Sequence, residues 1–496
     1  MTRWTTKHQR AVLAVAVLAS FIAFLDGSVV NVALPAISRD LGGGLASQQW
    51  VVDAYLLTLG SVILLAGSLS DAFGRKRVLV WGLLGFGAAS IACAVAPTIE
   101  LLIVARGVQG IAGALLVPSS LALILDAFSG GSQGRAIGAW TAYTSVASVA
   151  GPVLGGVLVD SLSWRWVFAI NVLPIAFALL GTRALQRDAA APANTRIDLV
   201  GASLGIVGLG LPVFALIEQS RYGWGSPIIE GPLVVGLACI VAFILWERRT
   251  PQPMLPLSIF RARNFSLGNV ATLFIYGGLA VGTFALAVFL QQGAGYSATF
   301  AGFAVIPSSV VLIALSAFFG KLSARVGPRL MMTVGPLIAG VGFALMARIG
   351  DQADYLTEVL PGVVAFGLGM AVTVAPLTAT ILGAVDSSRS GIASAINNAI
   401  SRVAGLVAVA LAGSLAGSAV IDVASFHQLV VAAAVAMVVG AIVSAIGIRN
   451  PRGVPPEVGA LPSSVANGPG GMPDLTAHHH VLRSAVSRPG APSGHS

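Results

Sequence analysis

Two ionisable side chains, those of Asp26 and Arg106, lie inside long apolar stretches of the sequence. Asp26 stands near the middle of the stretch between Arg10 and Arg39. A buried carboxylate is costly and burial favours its protonated form, so Asp26 could take a proton from one side of a barrier and release it on the other. A buried guanidinium keeps its charge and needs an acceptor. The structural alternatives are a neutral, hydrogen-bonded carboxyl at Asp26 and an arginine that caps loop carbonyls at Arg106.

The sequence around these residues has the composition of a membrane protein. Of its 496 residues, 56% are hydrophobic and 9% are charged, whereas soluble domains carry about a quarter charged residues. No long polar stretch could fold into a separate catalytic domain. The cysteines, Cys93 and Cys239, fit neither a disulfide framework nor a metal site. The net charge of +9 comes from basic residues in short loops, which favours a membrane topology signal over nucleic-acid binding.

Fourteen apolar stretches are long enough to cross a bilayer core, which takes about 20 residues of helix. They lie near 11–36, 50–69, 78–97, 101–125, 136–159, 166–186, 198–217, 231–247, 266–291, 300–321, 330–349, 357–383, 391–416 and 426–448. With a cytoplasmic N-terminus, most Lys and Arg residues fall in cytoplasmic loops, and an even number of spans places both termini there. The sequence therefore predicts an all-α polytopic protein of the cytoplasmic membrane.

Two predicted cytoplasmic loops, at 67–77 and 320–329, repeat Gly, Leu, Ser and Gly in register and end on basic residues. Two parallel six-helix halves form one large class of secondary transporter, and here two inserted helices would separate them. The expected segments are a cytoplasmic N-terminus at 1–10, an N-terminal six-helix bundle at 11–186, the inserted helices with flanking loops at 187–263, a C-terminal six-helix bundle at 264–448, and a disordered cytoplasmic tail at 449–496.

Motifs in several spans resemble the major facilitator superfamily, and in particular its fourteen-helix drug/proton antiporter branch. They are the loop that begins at Gly67, residues 25–35, 106–110 and 151–156, residues 164–168 with Asn171, and the thirteenth-span residues Asn397, Asn398 and Arg402. The resemblance covers residues 1 to about 450. It implies a monomer that exports amphipathic drugs or toxic compounds by alternating access, driven by the proton gradient without a cofactor.

The resemblance also implies roles for individual residues. Arg106 would relay protons by swinging close to an acid, and Asp53 would help to receive external protons or cationic substrate. From its position near Trp50, Asp53 could equally be a solvated acid at a helix end. A kinked hinge, tied to antiport, comprises Gly151, Pro152, Gly155 and Gly156, with Ala147 where a glycine is usual. A cytoplasmic latch for the outward-facing state comprises Gly67, Asp71, Gly74, Arg75 and Lys76, and the spacing of Asp71 and Arg75 suits an ion pair.

Polar residues in the spans suggest a substrate cavity. The candidates are Asn31, Gln109, Asn171, Asn397, Asn398 and Arg402. For the thirteenth-span residues, contacts that join helices are the alternative. Residues 301–319 contain no acid, and Asp26 is opposed by Arg106 and Arg402. We therefore expect a neutral, weakly cationic or anionic amphipathic substrate.

Other functional classes fit less well. A dedicated exporter of one endogenous metabolite or lipid is the alternative within transport. An enzyme is disfavoured because the spans hold no histidine-rich cluster, and an ATP-driven pump is excluded because no phosphate-binding loop ending in Gly-Lys-Ser/Thr occurs. The three adjacent histidines at 478–480 could bind a metal weakly, but we interpret them as incidental and predict no metal site.

Overall fold

The computed structural model describes residues 6–129, 131–186, 198–251, 253–386, 389–417 and 421–450, without the side chains at 64, 68, 71, 131, 145, 148 and 390. The helices are α1 (Lys7–Leu41), α2 (Leu45–Phe73), α3 (Arg75–Ala94), α4 (Ile99–Ala127), α5 (Gly131–Ser161), α6 (Trp166–Ala169), α7 (Val172–Thr182), α8 (Leu199–Tyr222), α9 (Pro227–Arg249), α10 (Arg263–Gln292), α11 (Ala298–Ala304), α12 (Ile306–Val326), α13 (Pro328–Met346), α14 (Leu360–Leu382), α15 (Ser390–Ala416) and α16 (Val423–Gly447). The predicted tail from 451 onward, with its histidines, lies outside this range.

Short polar side chains begin several of these helices. Thr6 accepts a hydrogen bond from the backbone N–H of Gln9 at the start of α1 (3.2 Å), and Asp422 accepts from that of Ser425 at the start of α16 (2.8 Å). Such caps satisfy backbone donors that have no partner within the helix. Both cysteines are free thiols, and Cys93 is buried whereas Cys239 is partly exposed.

Twelve helical segments within the described ranges are long and apolar enough to cross a membrane. The second and sixth predicted spans are not among them. The second falls on α2, which has 29 residues, and the sixth falls on Trp166–Thr182, a shorter apolar helix. The all-helical membrane architecture is confirmed, whereas the count of fourteen spans remains a prediction.

The repeated loops adopt the same local structure. Gly74, between α2 and α3, has a φ of 95°, and Gly327, between α12 and α13, has a φ of 91°. The N–H of Gly74 donates to the carbonyl of Ser70, and that of Gly327 donates to the carbonyl of Ser323. Glycine adopts positive φ without steric cost, which explains why both copies of the motif retain it.

Helix packing follows the same repeat. In residues 6–186, α1 packs on α5, and α4 packs on both α2 and α3; in residues 263–450, α10 packs on α15, and α14 packs on both α12 and α13. We call these ranges the N-terminal half and the C-terminal half. The helices α8 and α9 pack on each other, and α8 also contacts α2 and α15. The inserted pair therefore lies beside a contact between the halves.

Side-chain hydrogen bonds join the halves where α1 ends, which we call the far end. Gln49 donates to the carbonyls of Val409 (2.5 Å) and Ala410 (3.1 Å) in α15, and Gln291 of α10 donates to the carbonyl of Val32 (3.0 Å). A large apolar cluster also spans both halves toward this end, whereas two further clusters lie toward the near end, where α1 begins, one mainly within each half. The far end is the more tightly closed of the two.

Candidate functional site

Asp26 lies in a buried hydrogen-bond network in the N-terminal half. Arg106 Nη1 donates to Asp26 Oδ2 at 2.5 Å and to Gln109 Oε1 at 2.6 Å. Asp26 Oδ1 accepts from Gln109 Nε2 (2.9 Å) and from Asn171 Nδ2 (3.0 Å), and Gln109 also donates to Ser90 Oγ (2.9 Å). None of these residues is more than 1% exposed. Both carboxylate oxygens of Asp26 are therefore satisfied by side chains from α4 and from the segment that leads into α7.

Close packing of α2 on α4 holds Arg106 in place. Arg106 Nε donates to the carbonyl of Val51 (3.0 Å), and its guanidinium carbon lies 4.3 Å from the ring centroid of Tyr55. One turn along α4, a Cβ at Gly110 would lie 2.4 Å from the carbonyl oxygen of Tyr55 and 2.1 Å from Thr58 Oγ1. Any larger residue at Gly110 would push α2 away and remove the acceptor and the aromatic face that orient Arg106.

Burial of the ion pair between Asp26 and Arg106 involves large and opposing contributions to the free energy of folding. Withdrawing each ion from water costs several kcal/mol, which only good geometry and further hydrogen bonds offset. Removing one partner would leave an uncompensated buried charge, which typically costs about 3–5 kcal/mol. Asp26 and Arg106 therefore depend on each other to stay buried.

Asp53 on α2 is also fully buried, so the alternative of a solvated helix-end acid is wrong. Neither of its carboxylate oxygens has a hydrogen-bond partner among the described residues. Of its neighbours at helical spacing, Gln49 donates to α15 carbonyls, whereas Trp50 donates to Glu218 of α8 (2.9 Å). Asp53 therefore lies on the side of α2 that packs against α15 and α8, and it makes no hydrogen bond to the network around Asp26.

A cavity of about 210 Å³ lies between the halves, with a wall formed by α1, α2, α4, α10 and α15. Of the residues predicted for a substrate cavity, Asn31 and Arg402 line it. Arg106 lines it too, beside Tyr55 and Tyr276. Arg106 thus pairs with Asp26 and is also one of the residues that line the cavity.

The remaining cavity candidates lie elsewhere. Gln109 and Asn171 surround Asp26 rather than the cavity, because their side chains are directed toward α1 and, for Gln109, also toward α3. Asn397 Nδ2 donates to Asn269 Oδ1 (3.1 Å) and to Thr272 Oγ1 (3.0 Å), which joins α15 to α10. Asn398 is not among the residues that line the cavity.

The first glycines of the predicted hinge bring α5 against α1. A Cβ at Gly151 would lie 2.0 Å from Ser28 Oγ, and one at Gly155 would lie 2.8 Å from the carbonyl oxygen of Val29. Ser28 also donates to the carbonyl of Ala147 (3.4 Å). These contacts fall one turn from Asp26, so the packing of α5 fixes the segment of α1 that carries the carboxylate.

The other side of this stretch brings α5 against α11 in the C-terminal half. A Cβ at Gly156 would lie 2.4 Å from the carbonyl oxygen of Ala298, and one at Gly302 would lie 2.2 Å from that of Pro152. Farther along α5, Asp160 accepts from the backbone N–H groups of Ala298 (3.2 Å) and Thr299 (2.7 Å) at the start of α11. The hinge stretch is thus a close contact between the two halves.

In the predicted latch loop, Arg75 forms an ion pair with Asp126 of α4 at 3.0 Å. Lys76 donates to the carbonyl of Leu185 (2.8 Å). The side chain of Asp71 lies outside the described residues, so its predicted pair with Arg75 stays a prediction. Gly67 has open space around it, since a Cβ there would meet nothing within 4 Å among the described residues.

Three polar residues of these sites were not predicted from the sequence. Ser90 contacts the Asp26 network, Asn269 forms the amide cluster with Asn397, and Asp160 caps α11. Asn269 and Ser90 lie inside predicted apolar spans, and Asp160 follows directly after one. A search for every polar residue within or next to a span would have found all three.

Comparisons with known proteins agree with this architecture. The sequence profile of the Major Facilitator Superfamily matches residues 16–409. The puromycin resistance protein of Streptomyces alboniger is 37% identical over 391 residues, which are 77% of each chain. The multidrug resistance protein Stp of Mycobacterium tuberculosis is 35% identical over 382 residues, or 76% of this chain and 70% of that one.

The fold also matches solved transporter structures. A D-xylose–proton symporter superposes with a TM-score of 0.64 at 14% identity, over 90% of this chain and 99% of its own. A peptide transporter POT in complex with sulfate gives a TM-score of 0.65 at 15% identity, over 89% of this chain and 95% of its own. At such low identity these likenesses concern the fold alone.

Proposed function

The chain belongs to the major facilitator superfamily, and we propose that it exports small amphipathic drugs or toxic compounds across the cytoplasmic membrane in exchange for protons. As a member of this family it is a multi-pass membrane transporter rather than an enzyme. Relatives named for puromycin and for multidrug resistance support a drug-like cargo. We assign α2 and Trp166–Thr182 as two further spans, which gives fourteen, with both termini in the cytoplasm.

The observation that carries the proposal is the double contact of Arg106. This side chain pairs with Asp26 at 2.5 Å and also lines the cavity between the halves. Protonation of Asp26 removes one charge of the pair, weakens the hold on Arg106, and so changes the wall of the cavity. Two binding equilibria that share one residue are coupled in both directions. One proton that crosses 100 mV supplies about 2.3 kcal/mol for export.

Alternating access assigns the two ends of the bundle to the two sides of the membrane. The positive loops support a cytoplasmic near end, and we infer that the far end faces outward. Contacts that join the halves at the far end include Asp160 with α11 and Gln49 with α15. We infer that these contacts part when substrate is released outward, and that the predicted latch around Arg75 closes the cytoplasmic end in that state.

Transport in proteoliposomes with an imposed pH gradient tests this proposal. Wild-type protein should move a lipophilic amine or a neutral drug against the flow of protons, and Asp26→Asn should lose at least about 100-fold of that flux, since an amide cannot carry a proton. Asp40→Asn is the matched control: Asp40 lies on the same helix but is half-exposed and pairs with Arg165. Full transport by Asp26→Asn would contradict proton coupling through this residue.

A dedicated exporter of one metabolite remains a second candidate. It is supported by relatives named for single compounds, such as the probable actinorhodin transporter of Streptomyces coelicolor (35% identical over 396 residues, 77% of this chain and 68% of that one) and the lincomycin resistance protein of Streptomyces lincolnensis (32% identical over 393 residues, 79% and 80%). Transport assays across chemically unrelated drugs separate the candidates. Export of several scaffolds supports a multidrug transporter, whereas export of one supports a dedicated exporter.

A further inference from the structure

Arg402 on α15 is the cavity residue whose charge is not balanced within the described structure. The two charged residues among those that line the cavity are Arg106 and Arg402, and both are cationic. The charge of Arg106 is balanced by Asp26 at 2.5 Å. The guanidinium of Arg402 makes neither a hydrogen bond nor an ion pair with any described residue. Its central carbon lies 5.7 Å from the ring centroid of Phe24. The cavity therefore carries net positive charge even when Asp26 is ionised.

The position of Arg402 is set by close packing between the halves. Its Cβ would lie 3.5 Å from a Cβ built at Gly60 of α2, so the side chain begins where α2 and α15 meet. Its side chain is half-buried and extends along the cavity wall. A guanidinium that is partly withdrawn from water stays charged and needs an acceptor. Since the described protein supplies none, the acceptor must come from water or from a ligand.

Two other donors face the same space. Asn31 of α1 and Tyr276 of α10 line the cavity, and neither side chain makes a hydrogen bond to a described residue. Tyr276 and Tyr55 are also among the residues that line the cavity, so its wall includes aromatic residues. The cavity thus offers a guanidinium, an amide and a phenol hydroxyl as hydrogen-bond donors beside aromatic residues. These groups suit a flat ligand that carries acceptor oxygens. A carboxylate fits best, because a guanidinium can bind both of its oxygens at once.

We propose that the cavity selects aromatic substrates that carry an ionised acidic group, and that Arg402 binds this group. The inference rests on the proposed function, because that function makes the cavity the transport site. With Asp26 ionised, the acid neutralises the charge of Arg402 and its aromatic body lies against Tyr276. A protonated amine would instead meet two cations and, among the described lining residues, no carboxylate.

Equilibrium binding to the purified full-length protein in nanodiscs tests this assignment with three probes that share a naphthalene ring: 1-naphthoate, its near-isosteric amide 1-naphthamide, and the cationic 1-naphthylmethylamine. Wild-type protein should bind the carboxylate about tenfold or more tightly than the amide, which is the strength of a charge-assisted hydrogen bond. Arg402→Gln should remove that preference and leave amide affinity unchanged, while Arg402→Lys should retain part of it. Arg389→Gln, at the exposed N-cap position of α15, is the matched control and should bind like wild type.

Three results would overturn the assignment: an Arg402→Gln variant that still prefers the carboxylate, a wild type that prefers the amine, or no binding of any probe at millimolar concentration. Proton-driven efflux of the amide separates this inference from the proposed function. If the amide is exported in exchange for protons while the carboxylate has no advantage, the acid site alone fails. If the carboxylate binds through Arg402 but no probe follows the proton gradient, the proposed function fails and the site remains.

Membrane potential gives a second readout. Exchange of one proton inward for one acid outward moves two elementary charges, whereas exchange for the amide moves one. Efflux of the carboxylate should therefore respond about twice as steeply to an imposed, inside-negative potential as efflux of the amide. Equal steepness for the two probes would contradict transport of the ionised acid, even if the acid binds at Arg402.

Discussion

The two halves hold their buried polar groups in different ways. In the N-terminal half, α1 is joined to α4 by an ion pair between Asp26 and Arg106 that is almost fully buried. In the C-terminal half, α10 is joined to α15 by uncharged groups, where Asn397 donates to Asn269 and Thr272. Both clusters connect the first helix of a half to another helix of that half, but not to equivalent ones, since α15 packs on α10 as α5 packs on α1. The halves thus share a fold, while a charged cluster joins α1 to α4 and a neutral cluster joins α10 to α15.

This difference implies a division of roles. A carboxyl group can carry and release a proton, whereas the amides and hydroxyls of the neutral cluster stay uncharged. We infer that proton coupling belongs to the N-terminal half. The C-terminal half contributes a neutral contact and, through Arg402, a fixed positive charge in the cavity. Disruption of the charged cluster should also cost more free energy than disruption of the neutral one, because a buried ion without a partner is far more costly than a buried amide without a partner.

The largest effect on stability should come from Arg106→Gln. The substitution leaves Asp26 buried with amide donors and no counter-charge, so we expect a loss of about 3–5 kcal/mol in the free energy of unfolding. Denaturant unfolding in detergent measures it. The double variant Asp26→Asn/Arg106→Gln removes both charges and should recover much of that loss, as in a double-mutant cycle.

Arg165→Gln is the matched control for Arg106→Gln. Arg165 pairs with Asp40, but both side chains are more than a third exposed, and exposed pairs contribute little. We expect nearly unchanged stability. Equal losses in the free energy of unfolding for Arg106→Gln and Arg165→Gln would contradict the conclusion that breaking the buried pair costs more than breaking the exposed one.

The charged half was the more predictable from the sequence. A charge inside an apolar span has few explanations, so the residue types and their positions were enough to select Asp26 and Arg106. Gln109 and Asn171 were selected as polar but assigned to the cavity, because helical spacing fixes the face of a residue and not the helix that this face meets. The neutral cluster was missed in part for the same reason: Asn269 has no charge to single it out.

The fold shows a similar limit. Hydropathy predicted the all-helical architecture, because long apolar runs have one solution in a bilayer. It could not reveal that the sixth predicted span consists of α6 and α7, joined by two residues in helical conformation, nor that Arg75 pairs with Asp126 of α4. Both depend on tertiary contacts. Such contacts also bury Asp53, for which the sequence left a functional acid and a solvated helix end equally open.

A smaller effect should come from the contact through which the halves meet. In Gly156→Ala, the new Cβ would lie 2.4 Å from the carbonyl oxygen of Ala298, a backbone atom that cannot turn away. Overpacking of this kind costs about 1–3 kcal/mol. We expect the far end to open and transport to fall by roughly tenfold, which corresponds to the lower half of that range.

Spin-label distances between the far ends of α5 and α11 measure this opening. Gly138→Ala lies on the same helix and adds the same methyl group where no described atom lies within 4 Å, so it should leave distance and transport unchanged. If Gly156→Ala leaves the distance unchanged, the contact between α5 and α11 does not control closure of the far end. The charged N-terminal half would then not act on the neutral C-terminal half through this contact.

The smallest effect should come from Asn397→Ala in the neutral cluster. The substitution removes two hydrogen bonds and leaves the Oδ1 of Asn269 without a described donor, while Thr272 keeps its bond to the carbonyl of Gly268. A net loss of about 1–2 kcal/mol in the free energy of unfolding is expected for an unmade neutral hydrogen bond. Proton-driven transport should persist, because no titratable group is touched.

Asn398→Ala, one position along α15, is the matched control for Asn397→Ala. Its side chain makes no hydrogen bond to a described residue, so unfolding and transport should both stay close to wild type. The informative outcome is the ratio of transport to stability. If Asn397→Ala lost transport as completely as Asp26→Asn while it unfolded only slightly earlier, the neutral cluster would be part of the coupling machinery. Proton coupling would then depend on both halves, because a change of hydrogen bonding in α10 and α15 would have to accompany each protonation of Asp26.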